Sequence, residues 1–246
     1  MYRQDLAYIH DTGHADYAIK SAPGILALLA QQALRGGLIV DLGCGSGWSA
    51  QAFTQTGYPV LGVDQSEDLL AIARRRVPQA TFHRASLYEY PIPTCQAVTS
   101  VGECLNYRSE QDFPPLGGSQ QLLTSLFQRI FQALIPGGLF IFDIAEPGQL
   151  TTPGAVKTFT EGDDWLVLVE KAEDPVRAVL TRRIITLRRV NNTYRRDDEV
   201  HTLQLYPAST IAKQLEQSGF EVQLTTCYGD FVLPPAHSVL IAHKPT

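Results

Sequence analysis

Val40-Asp41-Leu42-Gly43-Cys44-Gly45-Ser46-Gly47 decides the fold of this chain. An apolar run, Leu38-Ile39-Val40, reads as a short strand that ends at a carboxylate, and three glycines in alternate positions follow it. Ending a strand does not require three glycines. They suit a sharp turn that brings backbone close to a ligand with no Cβ in the way. A helical stretch to about Thr56 and a second apolar run, Val60-Leu61-Gly62-Val63-Asp64, complete a βαβ unit.

The same alternation continues outward. Ser66 starts a helix with Leu69, Leu70, Ile72 and Ala73 apolar and Arg74-Arg75-Arg76 in its last turn, and Pro78 ends it. Strands are expected at Ala80 to Arg84, Ala97 to Val101 and Leu139 to Asp143. Before the last of these, Leu122, Leu123, Leu126, Ile130 and Leu134 share a helix face between Ser119 and Leu134, and Pro136-Gly137-Gly138 breaks the helix. Five strands with helices between them predict a doubly wound α/β sheet. A helix at Ser209 to Gln217 and strands at Phe220 to Thr226 and Ser238 to Ala242 would bring that mostly parallel sheet to seven strands.

Two segments depart from this pattern. Residues 1–36 read as a helical lid, with Pro23 suited to a first helical turn ahead of Ile25-Leu26. Residues 150–206 read as an antiparallel insert: Trp165 to Glu170, Val179 to Leu187, Tyr194 to Arg196 and Val200 to Leu205 are strand-like, and Asn191-Asn192 marks a hairpin. The stretch from Lys171 to Arg196 holds eight of the twenty Lys and Arg residues, read as a solvated face.

At 246 residues, 44% hydrophobic and 18% charged, the chain is one domain with an ordinary core. A net charge of −5 gives no attraction to nucleic acid or to an anionic membrane, so a small-molecule partner is expected. Cys44, Cys95, Cys104 and Cys227 form neither a metal motif nor a disulfide pattern, so no metal is expected. Four scattered thiols suit a cytoplasmic location. No signal region and no apolar run of membrane-spanning length is visible in the sequence. Monomer and homodimer both remain open.

Asp64, at the tip of the second strand, can accept two hydrogen bonds from a ribose diol, which points to an adenosine-containing ligand. Gly45-Ser46-Gly47-Trp48-Ser49-Ala50 also satisfies a dinucleotide fingerprint, so an NAD(P)-dependent oxidoreductase is the first alternative. Asp41 discriminates between the two. A carboxylate at that place repels a pyrophosphate and favours the cationic end of S-adenosylmethionine, a difference of about 4 kcal/mol at ~4 Å and an effective dielectric of ~20.

With Gly62-Val63-Asp64-Gln65-Ser66, Pro136-Gly137-Gly138-Leu139-Phe140 and Ser218-Gly219-Phe220 in order, the chain resembles the class I S-adenosylmethionine-dependent methyltransferases, in their small-molecule branch with an antiparallel insert. The resemblance implies that Gly43, Cys44, Gly45 and Gly47 pass by the methionine moiety, that Asp41 faces its charged end, and that Asp64 holds the ribose with Gln65 beside the adenine. Ser86 falls where the family commonly has Asp, and Leu87 would offer its amide to the ring. Val101 and Gly102 lie beside the donor, and Tyr8 in the lid closes over it, with Tyr17 a second candidate.

On the acceptor side the readings are Glu103 as orienting group or base, Asn106 and Tyr107 as pocket walls, His10 as a substrate contact and His201 as a base for a hydroxyl nucleophile. Asp143 should bond loop backbone, and Cys44 is a packing residue whose thiol the nearby helix start could acidify. The Asn/Asp-Pro-Pro-Tyr/Phe tetrapeptide of amide and nucleobase N-methyltransferases is missing after the fourth strand. The expected reaction is O- or N-methylation of a small molecule, giving S-adenosylhomocysteine. A non-catalytic cofactor-binding or interaction module is the second alternative.

Overall fold

In a computed structural model that describes residues 2–108, 118–150 and 154–246, the chain opens with α1 (Gln4–Gly13) and α2 (Asp16–Gln31). Met1 of the expected lid and residues 151–153 of the expected insert lie outside the described residues. Pro23 sits inside α2 and not in a first turn. An interior proline forfeits about 3 kcal/mol, but Ala22, Ile25 and Leu29 on one face are fully buried, and a Cβ on Gly24 would lie 2.3 Å from the backbone of Tyr228. Close packing carries the helix through the break.

The βαβ series then runs β1 (Ile39–Leu42), α3 (Trp48–Gln55), β2 (Val60–Asp64), α4 (Glu67–Arg76), β3 (Thr81–Arg84) and β4 (Cys95–Ser100). Ser66 caps α4, its Oγ accepting from the Leu69 amide at 3.2 Å. After a single 3-10 turn at Cys104–Asn106 come β5 (Tyr107–Arg108), α5 (Gly118–Ala133) and β6 (Leu134–Ala145). β6 begins at Leu134, before the Pro-Gly-Gly sequence expected to precede it. The Gly137 amide pairs with the Lys244 carbonyl, and a Cβ on Gly138 would come 2.9 Å from the Gln96 carbonyl, so these residues let neighbouring backbone approach closely.

The insert contains β7 (Val156–Glu161), β8 (Trp165–Asp174), β9 (Val179–Val190) and β10 (Thr193–Gln204), and the chain ends with α6 (Ala208–Gln217), β11 (Glu221–Thr225), the short hairpin β12 (Cys227–Tyr228) and β13 (Phe231–Val232), and β14 (His237–His243). The two strands expected at 194–196 and 200–205 are one, because β9 pairs with β10 without interruption from Thr193 to Gln204. Asn191, in the hairpin, takes a left-handed φ of 56°.

The seven-stranded sheet has the order β11-β14-β6-β4-β1-β2-β3, antiparallel only where β14 meets β6 and β11. Its inner strands alternate. Phe140 and Phe142, stacked 4.3 Å apart, face Phe127, Ile130 and Leu215 of α5 and α6, while Ile39 and Ile141 face Ile25, Phe53 and Leu70 of α2, α3 and α4. The insert is a second sheet, β5-β10-β9-β8-β7, and α1 packs Leu6 and Ile9 against its Trp165, Val167 and Ile184. From β1 the chain moves outward to β3 and returns to β4 on the other side of β1, which leaves a crevice at the carboxyl ends of β1 and β4.

Candidate active site

The glycine loop opens into that crevice. Gly43, Gly45 and Gly47 have φ of +79°, +53° and +82°, a region that side chains disfavour. The Gly43 and Cys44 amides turn back onto the Val63 carbonyl at 2.7 and 3.1 Å. A Cβ on Gly43 would meet Cys104 Sγ at 2.4 Å, whereas Gly45 faces open space. Gly47 packs on Ala73 and starts α3, so it shapes the loop without lining the cavity.

Two carboxylates flank the loop. Asp64 accepts from the Gly45 amide at 3.0 Å and the Ser66 amide at 2.8 Å, and its burial raises its pKa against those bonds. Asp41 is 2% exposed; its Oδ1 accepts from Thr99 Oγ1 at 2.7 Å, and its Oδ2 has no hydrogen-bond partner among the described residues. Burial pushes the Asp41 pKa to about 7 despite the Thr99 bond, and the Asp64 charge adds to the rise. A buried carboxylate oxygen on a cavity wall with nothing to bond is incomplete without a cationic or donor group. The ammonium of a methionine moiety fits it, and a pyrophosphate does not. The Cys44 thiol is pushed up by burial and not acidified, which leaves it the packing role.

Gln65, Ser66, Leu69, Ala85, Leu87 and Tyr88 wall the cavity beyond Asp64. Ser86 is turned away from that wall. Its Oγ accepts from the Tyr88 amide at 3.2 Å, which fixes the turn that presents Leu87.

At the end of β4, Val101 and Gly102 reach the wall and Glu103 adopts a left-handed φ of 61°. Asp143, fully buried, holds this bend. Its Oδ1 accepts from the Gly102 amide and the Tyr228 hydroxyl, both at 2.8 Å. Its Oδ2 accepts from the Glu103 amide at 2.8 Å and the Tyr17 hydroxyl at 3.0 Å. The Glu103 carboxylate points away from the cavity, to Arg182 Nη2 and His237 Nε2, each at 2.7 Å. Burial would raise its pKa, but Arg182 and His237 outweigh that and hold it at about 2. It is a tied anion and a poor proton acceptor.

Asn106 is buried and joins strands: its Nδ2 donates to the Ala145 and Gln204 carbonyls and its Oδ1 accepts from the Ala145 amide. Tyr107, next in sequence, does reach the cavity, and its hydroxyl lies 3.0 Å from that of Tyr2. His201 is fully buried behind these two rings, with Nε2 on Glu199 at 2.9 Å, and does not line the cavity. Tyr8 also faces elsewhere, toward Asp164 and under the Arg188 guanidinium, 3.5 Å above its ring. His10 lines the wall.

Tyr2, His14, Trp48, Tyr88 and Cys104 also line the wall, beyond the residues to which the sequence points. His10, His14 and Tyr17 follow one another at helical spacings of four and three, a signal that could have grouped them. Tyr2 carries no such signal. It is placed by its amide on Glu199 at 2.7 Å and by its carbonyl accepting from Ser66 Oγ at 2.7 Å, contacts that span most of the chain.

Residues 39–138 match the family model described as a methyltransferase domain, which covers β1 to the start of β6. A protein of Geobacillus sp. (strain WCH70) named as a methyltransferase is 28% identical over 203 residues, 78% of this chain and 77% of its own length. Trans-aconitate 2-methyltransferase of Rhizobium meliloti is 32% identical over 129 residues, 51% of this chain and 45% of that one. The crystal structure of an S-adenosylmethionine-dependent methyltransferase from Clostridium acetobutylicum shares the fold, with a TM-score of 0.81 at 20% identity over 98% of both chains. The glycine loop, the flanking carboxylates and the methyltransferase-domain match all fall on the same strands, and with these relatives they support a class I S-adenosylmethionine-dependent methyltransferase.

Proposed function

We propose that this enzyme transfers a methyl group to oxygen or nitrogen of a small molecule enclosed between the lid and the ends of β1 and β4. The observation that carries the assignment of donor contacts is the unpartnered, buried Oδ2 of Asp41 on the cavity wall. In this reading Asp41 pairs with the donor's ammonium and the Gly43–Gly45 backbone passes along its methionine chain. Asp64 accepts from its ribose hydroxyls while keeping the loop amides, and Leu87 and Tyr88 flank its adenine. S-adenosylmethionine supplies a methyl group already activated by positive sulfur.

The chain's own residues then have to position, enclose and deprotonate. Asp143 fixes the Gly102–Glu103 bend beside the reacting centre. Tyr2, His10 and Tyr107 close the far side, excluding water that would compete as nucleophile. Glu103, as a tied anion, anchors Arg182 of the insert and His237 of β14 to that bend. The lid is in turn held to the insert by Glu199 and by Asp5 with Arg188 and Arg195.

The test is direct. Saturating S-adenosylhomocysteine should raise the melting temperature, since a ligand at one hundred times its Kd adds about 2.7 kcal/mol, and NADH should leave it unchanged. Stabilisation by NADH alone would return the oxidoreductase reading. Transfer of tritiated methyl from the donor to a member of a metabolite panel would establish the small-molecule acceptor, and label found only in protein would refute it.

A further inference from the structure

The five-stranded insert sheet packs one face on α1, where Trp165, Val167 and Ile184 are buried, so the alternate residues of the same strands point away from the protein. On that outer face the strand register sets Phe159, Leu168 and Ile185 side by side across β7, β8 and β9, and Leu166 beside Leu187 in the next row. Phe159 is 68% exposed and Leu168 39%. Among the described residues, none of the five packs into the hydrophobic cores of the chain. A contiguous apolar patch on a sheet face marks a contact surface.

The charges around the patch are divided between its two sides. On β9 and β10, Arg183, Arg189 and Arg196 stand against one carboxylate, Asp198, which Arg183 and Arg196 share at 3.4 and 3.0 Å. On β7 and β8, Glu161 and Glu170 stand against one cation, Lys157, 3.5 Å from Glu170. Glu161 is exposed and has no ion-pair partner among the described residues. A cationic side and an anionic side with an apolar centre complement a second copy of themselves when a two-fold axis runs along the strands between β8 and β9. That operation sets Leu168 of one copy opposite Ile185 of the other, Leu166 opposite Leu187, and Glu161 opposite Arg196.

The area is sufficient. Four strands ~4.8 Å apart and about ten residues long cover roughly 600 Å² on each copy before side-chain relief is added. Two such faces reach the lower bound of a specific interface, about 1,200 Å² in total. We propose that the outer face of the insert sheet is an interaction surface for a second copy of this chain, packed sheet on sheet about an axis parallel to β8 and β9. The central Leu and Ile side chains exclude water, and the charged rims fix which way round the copies meet.

Sedimentation of the full chain at micromolar concentration should give twice the 27.1 kDa of one chain. Leu168→Lys, at an exposed position, should reduce that to one chain mass with an unchanged far-ultraviolet circular dichroism spectrum. Glu161→Arg should raise the dimer Kd about tenfold, because the two-fold repeats its like-charge contact with Arg196. Arg196→Glu should act likewise, and the double variant should recover the original Kd. Within one copy these two residues stand three strand spacings apart, roughly 14 Å, so recovery has to come from across the interface. A single-chain mass for the unaltered protein, a dimer that folded Leu168→Lys leaves intact, or a double variant no tighter than the single ones would each overturn the proposal. Should Leu168→Lys not fold, the charge reversals at exposed rim positions decide. None of these readouts involves the methyl donor, so their failure leaves the methyltransferase reading untouched.

Discussion

The glycine-loop end and the lid end of one cavity are built in different ways. Around the glycine loop the wall is made of backbone amides and two carboxylates supplied by four short bends, after β1, β2, β3 and β4, each set by the end of its strand and the last held by Asp143. At the lid end the wall consists of side chains held by contacts such as Tyr2 to Glu199, Asp5 to Arg188 and Arg195, and Trp48 to Asp11. The first arrangement follows from where parallel strands stop. The second exists only if distant segments dock, and it rests on charged pairs whose strength depends on burial.

The largest expected effect lies at the joint between the two ends. Asp143→Ala would leave two amides and two phenols without their acceptor, and should destabilise the protein by about 3 kcal/mol or more, read as a lower urea midpoint. A loss below ~1 kcal/mol would mean that the bend after β4 holds itself and the two ends are independent. Next, Asp64→Ala should weaken S-adenosylhomocysteine by roughly 1 to 3 kcal/mol in calorimetry while leaving the lid's hydrogen exchange unchanged. Unaltered affinity would remove the ribose assignment.

A pH effect follows from Asp41. Its pKa in the ligand-free protein is raised to about 7, and a bound cation favours the ionised form, so binding is strongest above that pH and weakens below it, where binding must release the Asp41 proton. Affinity for the donor should fall about tenfold from pH 8 to pH 6, and Asp41→Asn should bind weakly with that part of the slope gone. A pH-independent affinity in the unaltered protein would contradict the pairing. At the lid, Glu199→Gln should loosen residues 2–13 by about 1 kcal/mol in hydrogen exchange, because both the Tyr2 and Arg3 amides rest on that carboxylate. Arg3→Ala should change stability by less than ~0.5 kcal/mol, since its partner Asp197 is partly exposed and solvent screens the pair.

The differences between sequence and structure follow the same division. The turn at Gly43 and Gly45, with Asp41 and Asp64 beside it, was legible because strand ends and glycine conformation depend on a few residues. Pro23 misled because a local helix-start preference yielded to the close fit of Gly24 on Tyr228, which lies two hundred residues away. Glu103 and His201 were sensible bases by residue type. Neither faces the cavity, because Arg182, His237 and Glu199 draw them aside. Asn106 likewise gave no sign that it would join β6 to β10.

From the order of its residues alone, this chain determined a parallel sheet, a loop of left-handed glycines and a carboxylate on each side of it, since strand periodicity and glycine conformation act over short distances. Which side chains face the cavity was decided only by tertiary structure. That choice depends on which buried charges find partners, and a partner on another strand leaves no trace in the residues next to it.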